Sequence, residues 1–297
     1  MTDPLIDSGI VVVDKPGGMT SHDVVSRLRR FFKTKKVGHA GTLDPMATGV
    51  LVLGIGRGTK LLAHFVAHDK TYAATIRLGQ ATTTEDAEGE LVSEADASSL
   101  SDDALRTAIG ELTGTIMQVP SKVSAIKVNG RRAHELVREG VEFELDPREI
   151  TVFSFDVLDI RRHGSLVDVD VRVHCSSGTY IRAIARDLGA KLGVGGHLIA
   201  LRRETVGSFT LDSARTLEQL EEAPEFSMSL DEAMQRAWPT FDVTAAEYEA
   251  LAMGKWLEPH GLEGVQAAVG PDGRVVALVA EKGKRLSTVF VARPSTL

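Results

Sequence analysis

Residues 150–175, ITVFSFDVLDIRRHGSLVDVDVRVHC, decide the fold class. Val167, Val169, Val171, Val173 and Cys175 alternate strictly with Asp168, Asp170, Arg172 and His174. Successive side chains of a strand point to opposite faces, so the alternation predicts a strand with one buried and one wet face. The β-branched run before it predicts a partner strand, joined through His163-Gly164. A half-solvated antiparallel pair is expected.

Working outward, GTYIRAIARDLGAKLG reads as a helix closing on glycine and HLIALRRETVGSF as a further strand. Upstream, KVSAIKVNGRRAHELVREG predicts a strand, an Asn129-Gly130 turn and a short helix. SDDALRTAIGEL is a helix with an acidic first turn, which suits the helix dipole, and KTYAATIRLG is a strand. Thr82 to Glu90 reads as a polar loop. Nearer the N-terminus, GIVVVDK is a buried strand stopped by Pro16-Gly17-Gly18. Thr20 or Ser21 then caps a helix whose apolar face is Val24, Val25, Leu28, Phe31 and Phe32. VLVLGI is a strand and TKLLAHFVAH a helix. Glu218 to Glu232 holds six acids and no Lys or Arg, a helical, linker-like stretch. Beyond Trp238-Pro239, short strands separated by Asp-Gly and Lys-Gly turns predict a small β-rich domain. The expected organisation is a domain over residues 1–237 and another over 238–297.

The chain of 297 residues is 43% hydrophobic and 25% charged, ordinary for a soluble globular protein. Its net charge of -7 excludes a generally basic nucleic-acid binder but not a local basic face. One cysteine, Cys175, excludes an intramolecular disulfide and points to a reducing compartment. The first residues carry no basic segment ahead of an apolar core, and no apolar run reaches about 18 residues, so a cytoplasmic protein away from membranes is expected.

Three motifs fail on inspection. GIGRGTK has Thr59 ahead of Lys60, the reverse of the P-loop order, and lacks the third glycine of a dinucleotide fingerprint. HFVAH spaces His64 and His68 one helical turn apart, but Phe65 stands where a metalloprotease needs glutamate. His174 and Cys175 adjoin on a strand and face opposite ways, so they do not form a nucleophile pair. No metal and no cofactor is expected.

That leaves GHAGTLDPMATGVLVLGIG, Gly38 to Gly56, with a single carboxylate at Asp44. RLRRFFKTKK lies just upstream, supplying Arg27, Arg29, Arg30, Lys33, Lys35 and Lys36. Read locally, Asp44-Pro45 is a turn and the basic run a solvated helix face. Together they fit chemistry on an anionic polymer.

These blocks, with DKPGGMTSHDVV, KTYAATIRLGQATTTEDAEG, PSKVSAIKVNGRRAHELVREG and CSSGTYIRAIARDLG in the same order and spacing, closely resemble the TruB family of pseudouridine synthases from about Gly9 to Phe209. The resemblance implies an α+β fold: a mixed, mostly antiparallel sheet with flanking helices and a central RNA cleft, plus a small PUA-like β domain. It implies isomerisation of uridine to pseudouridine at position 55 in the T loop of tRNA, with the base flipped out of its stack. Asp44 matches the essential aspartate. Addition to C1′, attack on the base and removal of a sugar proton toward a glycal all remain open to it. By the same resemblance Arg182 in GTYIR pairs with that carboxylate, and Tyr180 belongs to the pocket. Tyr72 in KTY stacks on the target base and is implicated at C5.

His39 would lie against the RNA where the base has left its stack, Leu201 would touch the nucleotide, and Lys60 would lie near the catalytic loop. Asp86 fits a T-x-T-x-D loop with Thr82 and Thr84, in a catalytic or a turn role. Arg27, Arg29, Arg30, Lys33, Lys35, Lys36, Arg202 and Arg203, with Arg131 and Arg132, are the expected backbone contacts. Val123 stands where many members carry tyrosine. The expected partner is the tRNA T stem-loop, with no membrane, no obligate protein partner and a monomeric state. The competing readings are a non-catalytic tRNA-binding or folding protein, a glycoside hydrolase, which needs a second carboxylate, and the guide-RNA-dependent branch of the family.

Overall fold

The structure, a computed structural model, describes residues 5–124 and 126–297. Its chain divides into two compact units: residues 1–44, 50–66 and 207–297, and residues 45–49 and 67–206.

The unit built on residues 67–206 has a sheet ordered Gly196–Val206, Lys70–Leu78, Leu166–Cys175, Arg148–His163 and Gly114–Gln118, each neighbour antiparallel. Val167, Val169, Val171, Val173 and Cys175 are buried, as their alternation predicts. The opposite face is less wet than expected, because Asp168 is only 5% exposed. Arg77 on the neighbouring strand holds it bidentately, Nε to Oδ1 and Nη2 to Oδ2, both 2.8 Å. Burial alone would raise the Asp168 carboxyl, but the Arg77 hydrogen bonds and charge bring it below its ordinary value.

Helix Ile181–Lys191 covers the sheet, and Gly189 lets it approach closely: a Cβ there would sit 2.1 Å from the Gly196 nitrogen. At Asn129 (φ 50°) and Gly130 (φ 83°) the backbone takes the left-handed pair of a tight hairpin between Lys127–Val128 and Arg131–Arg132. Gln80–Thr82 and Leu91–Glu94 pair across the polar loop. Residues Thr48 and Gly49 run parallel to Arg202 and Arg203. Gly49 sits at φ 100°, where a Cβ would lie 2.2 Å from the Arg203 carbonyl oxygen, so no other residue fits.

In the other unit, strand Gly9–Lys15 lies between Thr48–Ile55 and Met228–Ser229. The Met228–Ser229 pairing corrects the reading of 218–232 as a linker. That stretch forms helix Leu217–Glu222, a strand and the start of helix Leu230–Ala237, and Ser227 Oγ accepts the Val12 N–H at 2.9 Å. Helix Ser21–Phe31 carries a capping box between Thr20 and Asp23 and buries Val24, Val25, Leu28 and Phe31. Phe32, one residue past its end, stacks on Phe226 at 5.4 Å.

Helix Gly58–Phe65 stops before His68, so the pair in HFVAH is not on one helix face. The glycines of GIGRG serve close backbone approach: a Cβ on Gly54 would meet the Gly58 carbonyl carbon at 2.4 Å, and one on Gly58 the Gly9 oxygen at 2.5 Å. The C-terminal strands Thr240–Asp242, Val265–Val269, Val275–Glu281 and Leu286–Val291 form a separate four-stranded sheet. Helix Ala245–Ala252, which the strand pattern did not suggest, packs on it through Leu251 against Val276, Val279 and Leu286. Arg293 joins Asp231 by 2.6 and 2.8 Å bonds, while Arg57 donates to the Ala292 and Val291 carbonyls at 3.0 and 2.7 Å.

Candidate active site

Asp44 sits half-buried in the loop that follows strand Val37–Ala40. A buried hydroxyl fixes the residue before it. Ser21, at the start of its helix, accepts the Leu43 N–H at 2.9 Å and donates to the Leu43 carbonyl at 3.1 Å. One side chain thus satisfies both backbone groups of Leu43, and anchoring of this kind pre-orients the next side chain. Gly41, at φ 78°, turns the chain out of the strand. His39 lies in register with Leu53 and is half-buried. Lys60 is exposed in the first turn of its helix.

The basic run is on the surface, with Arg27, Arg29, Arg30, Lys33, Lys35 and Lys36 all exposed. Arg30 is bound to Glu221 at 2.5 Å. The acidic stretch therefore meets the basic helix at this point.

In the other unit the sequence block GTYIR is organised by buried polar partners. The Tyr180 N–H donates to Gln118 Oε1 at 2.9 Å, and Gln118 Nε2 returns a bond to the Tyr180 carbonyl at 3.1 Å. Arg182, 4% exposed, donates to the carbonyls of Thr84 at 3.1 Å and Val123 at 2.8 Å and to Ser121 Oγ at 3.3 Å. Its Nη1 lies 3.6 Å from Asp86 Oδ2. Asp86 in turn accepts from Thr84 Oγ1 at 2.5 Å and from the Glu88 N–H at 3.1 Å. Because Val123 meets Arg182 through its carbonyl, this bond is indifferent to the side chain carried there.

Tyr72 is 7% exposed, in register with Val173 on one side and Arg203 on the other. Leu201 and Arg202 line a cavity of about 630 Å³ with Met46, Thr48, Thr75 and Asp170. Arg202 Nη1 reaches Thr48 Oγ1 at 3.3 Å. The Asp170 carboxylate at this cavity accepts from Thr75 Oγ1 at 2.7 Å and from Arg161, whose hydrogen bonds hold it below its ordinary value. The Pro45–Gly49 segment directly after Asp44 thus supplies two residues of the lining.

Arg203 departs from the expectation of a surface phosphate contact. It is 1% exposed, and its charge acts inside the unit. Burial, then the neighbouring Arg203 charge, pushes the Lys70 amine down to about 8. Cys175 is buried and its thiol is pushed up to about 11, consistent with an unreactive core residue. Arg131 and Arg132 are exposed, with Arg131 joined to Glu139 at 2.5 Å.

Sequence reading missed Gln118, Ser121, Thr75 and the anchoring role of Ser21. Only Ser21 left a signal, as a candidate cap.

Family models match the chain along most of its length. Residues 29–181 match the TruB family pseudouridylate synthase (N terminal domain). Residues 182–238 match the tRNA pseudouridylate synthase B C-terminal domain, and residues 238–293 the tRNA pseudouridine synthase II, C terminal. The chain belongs to the TruB family of pseudouridine synthases.

Proteins named tRNA pseudouridine synthase B are similar throughout. That of Corynebacterium efficiens is 65% identical over 297 residues, covering 100% of both chains. That of Rhodococcus jostii is 59% identical over 294 residues, covering 99% of this chain and 96% of its own. Among solved structures, a Cbf5-Nop10-Gar1 complex aligns with a TM-score of 0.74 at 24% identity, over 97% of this chain and 86% of that one. An H/ACA RNP bound to a substrate RNA containing 2'-deoxyuridine aligns at 0.72 and 23%, over 99% and 92%. At those identities the likeness establishes a shared α+β fold.

Proposed function

We propose that the chain isomerises uridine to pseudouridine at position 55 in the T loop of tRNA, with Asp44 as its catalytic carboxylate. The observation that carries this reading is the full-length similarity to proteins named tRNA pseudouridine synthase B, 65% identical with no part of either chain left over. The reaction breaks the N1–C1′ bond, forms C5–C1′, removes a proton from C5 and returns one to N1. Atoms and electrons balance within the uridine, so the reaction calls for no metal, nucleotide or redox cofactor.

An aspartate of ordinary pKa is already ionised at neutral pH, so Asp44 needs orientation more than activation. The Ser21 clamp on Leu43 supplies orientation from one side. Arg182 supplies the counter-charge, and Asp86 acts on Asp44 through it as a positioning residue. Tyr72 stacks on the flipped base and takes part in the proton transfer at C5, while Tyr180, Leu201, His39 and Lys60 hold the nucleotide and its neighbours. Flipping costs a few kcal/mol of lost stacking, which phosphate contacts repay. Arg27, Arg29, Arg30, Lys33, Lys35, Lys36 and Arg202 make them.

Residues 1–237 act as the catalytic domain and 238–297 as a PUA-like RNA-binding module. The protein works in the cytoplasm as a monomer, without an obligate protein partner. No helix among the described residues is long and apolar enough to cross a membrane.

Unmodified tRNA transcripts with uridine or cytidine at position 55 test the target. Pseudouridine at that position of the first transcript, and none elsewhere in either, is the expected map. Tight binding of both without conversion would instead favour a tRNA-binding or folding protein on this scaffold.

A further inference from the structure

The two tryptophans have opposite settings. Trp238 stacks on Phe65, with ring centroids 5.3 Å apart and planes 18° from parallel. Trp256 is 48% exposed, although a large aromatic gains most by burial. It is also held in place. The next residue, Leu257, exchanges both backbone hydrogen bonds with Leu286 at 2.9 Å, an antiparallel bridge that sets Arg285 diagonally across from Trp256 on the same side. The Arg285 guanidinium carbon lies 4.7 Å from the ring centroid, a cation–π contact.

Three exposed cations adjoin the pair along the chain. Lys255 precedes Trp256, and Lys282 and Lys284 belong to the turn leading into Arg285. That turn is closed by Lys282 N–H to the Arg285 carbonyl at 2.8 Å, with Gly283 at φ 64°. Of the nearby acids, Glu258 is exposed, whereas Glu281 is occupied, accepting the backbone N–H groups of His260 and Leu262 at 2.7 and 2.8 Å. A chain of net charge -7 thus carries four cations on the two segments that meet at its one exposed tryptophan.

An aromatic face with an arginine plane beside it, and lysines adjoining both along the chain, is suited to an unpaired nucleotide: the base stacks and the phosphates meet the cations. We propose that Trp256 and Arg285 form a stacking platform for an unpaired base of the tRNA outside the T stem-loop, with Lys255, Lys282 and Lys284 on the flanking phosphates. The proposal rests on the tRNA reading above and adds a second point of recognition on the C-terminal sheet.

The test compares wild type, Trp256→Ala and Trp256→Phe on intact tRNA and on an isolated T stem-loop. With Trp256→Ala, KM for intact tRNA should rise roughly tenfold, within the range for one lost base stack, at unchanged kcat. KM for the stem-loop should not change, and Trp256→Phe should recover most of the loss. Unchanged KM for intact tRNA, or an equal rise on both RNAs, would overturn the platform; a thermal melt of each variant identifies any general loss of folding.

If wild type converts neither RNA, the reading of the reaction fails, and fluorescence still decides this inference. Quenching by intact tRNA that is present in wild type and lost in Trp256→Phe supports the platform. Equal quenching in both overturns it.

Discussion

Arg182 lies 3.6 Å from Asp86, and both side chains are 5% exposed. Each charge is also held by neutral groups, Arg182 by the Thr84 and Val123 carbonyls and Asp86 by the Thr84 hydroxyl and the Glu88 N–H. A buried guanidinium fixed this thoroughly is a rigid electrostatic fixture, and its counter-charge tunes how strongly it can hold another anion.

Asp86→Asn keeps the shape and removes the charge. Arg182 then keeps its carbonyl bonds but loses one anchor, and a small displacement there should lower kcat roughly a hundredfold with little change in KM. Steady-state kinetics on tRNA check this. A rise in KM alone would place Asp86 in binding rather than positioning.

Ser21→Ala removes both partners of the Leu43 backbone at once. Two buried polar groups left unpaired should cost about 2 kcal/mol or more of stability, read as a lower urea midpoint. Because Asp44 follows Leu43, kcat should fall as well. Stability loss with full activity would show that the clamp serves only the fold.

Lys70 gives a pH signature. Its folded pKa of about 8 lies below its ordinary 10.5, so between those values the unfolded chain holds a proton that the folded chain has released. Stability therefore rises with pH across that window, and the cost of burying the charged amine is in full force below about pH 8. Lys70→Met should flatten this part of the profile in urea melts taken across the window. An unchanged slope would mean that another group titrates there.

Local patterns were legible. The alternation of Val167 to Cys175, the Asn129-Gly130 turn and the Thr20 cap each rest on a few adjacent residues, and each stands in the structure. Long-range pairings were hidden. Nothing near residue 228 announces that it will pair with Ile10, and the Val12 bond to Ser227 spans 215 positions. The acids of 218–232 looked like a solvated linker because their charge masked the buried Leu217, Leu220, Leu230 and Met234. At the candidate site, the motifs gave the residue identities through family resemblance, whereas the partners of Arg182 come from separate loops. Arg203 shows the converse limit: next to Arg202 in sequence, it faces inward because strand neighbours point opposite ways.

The most direct test of the central claim is tritium release from tRNA carrying uridine labelled at C5, with wild type and Asp44→Asn compared at equal RNA-binding saturation. Wild type should release tritium and place pseudouridine in the T loop, while Asp44→Asn binds the same tRNA and releases none above background. Release by Asp44→Asn at a rate close to wild type would contradict the account and leave Asp44 as a turn residue.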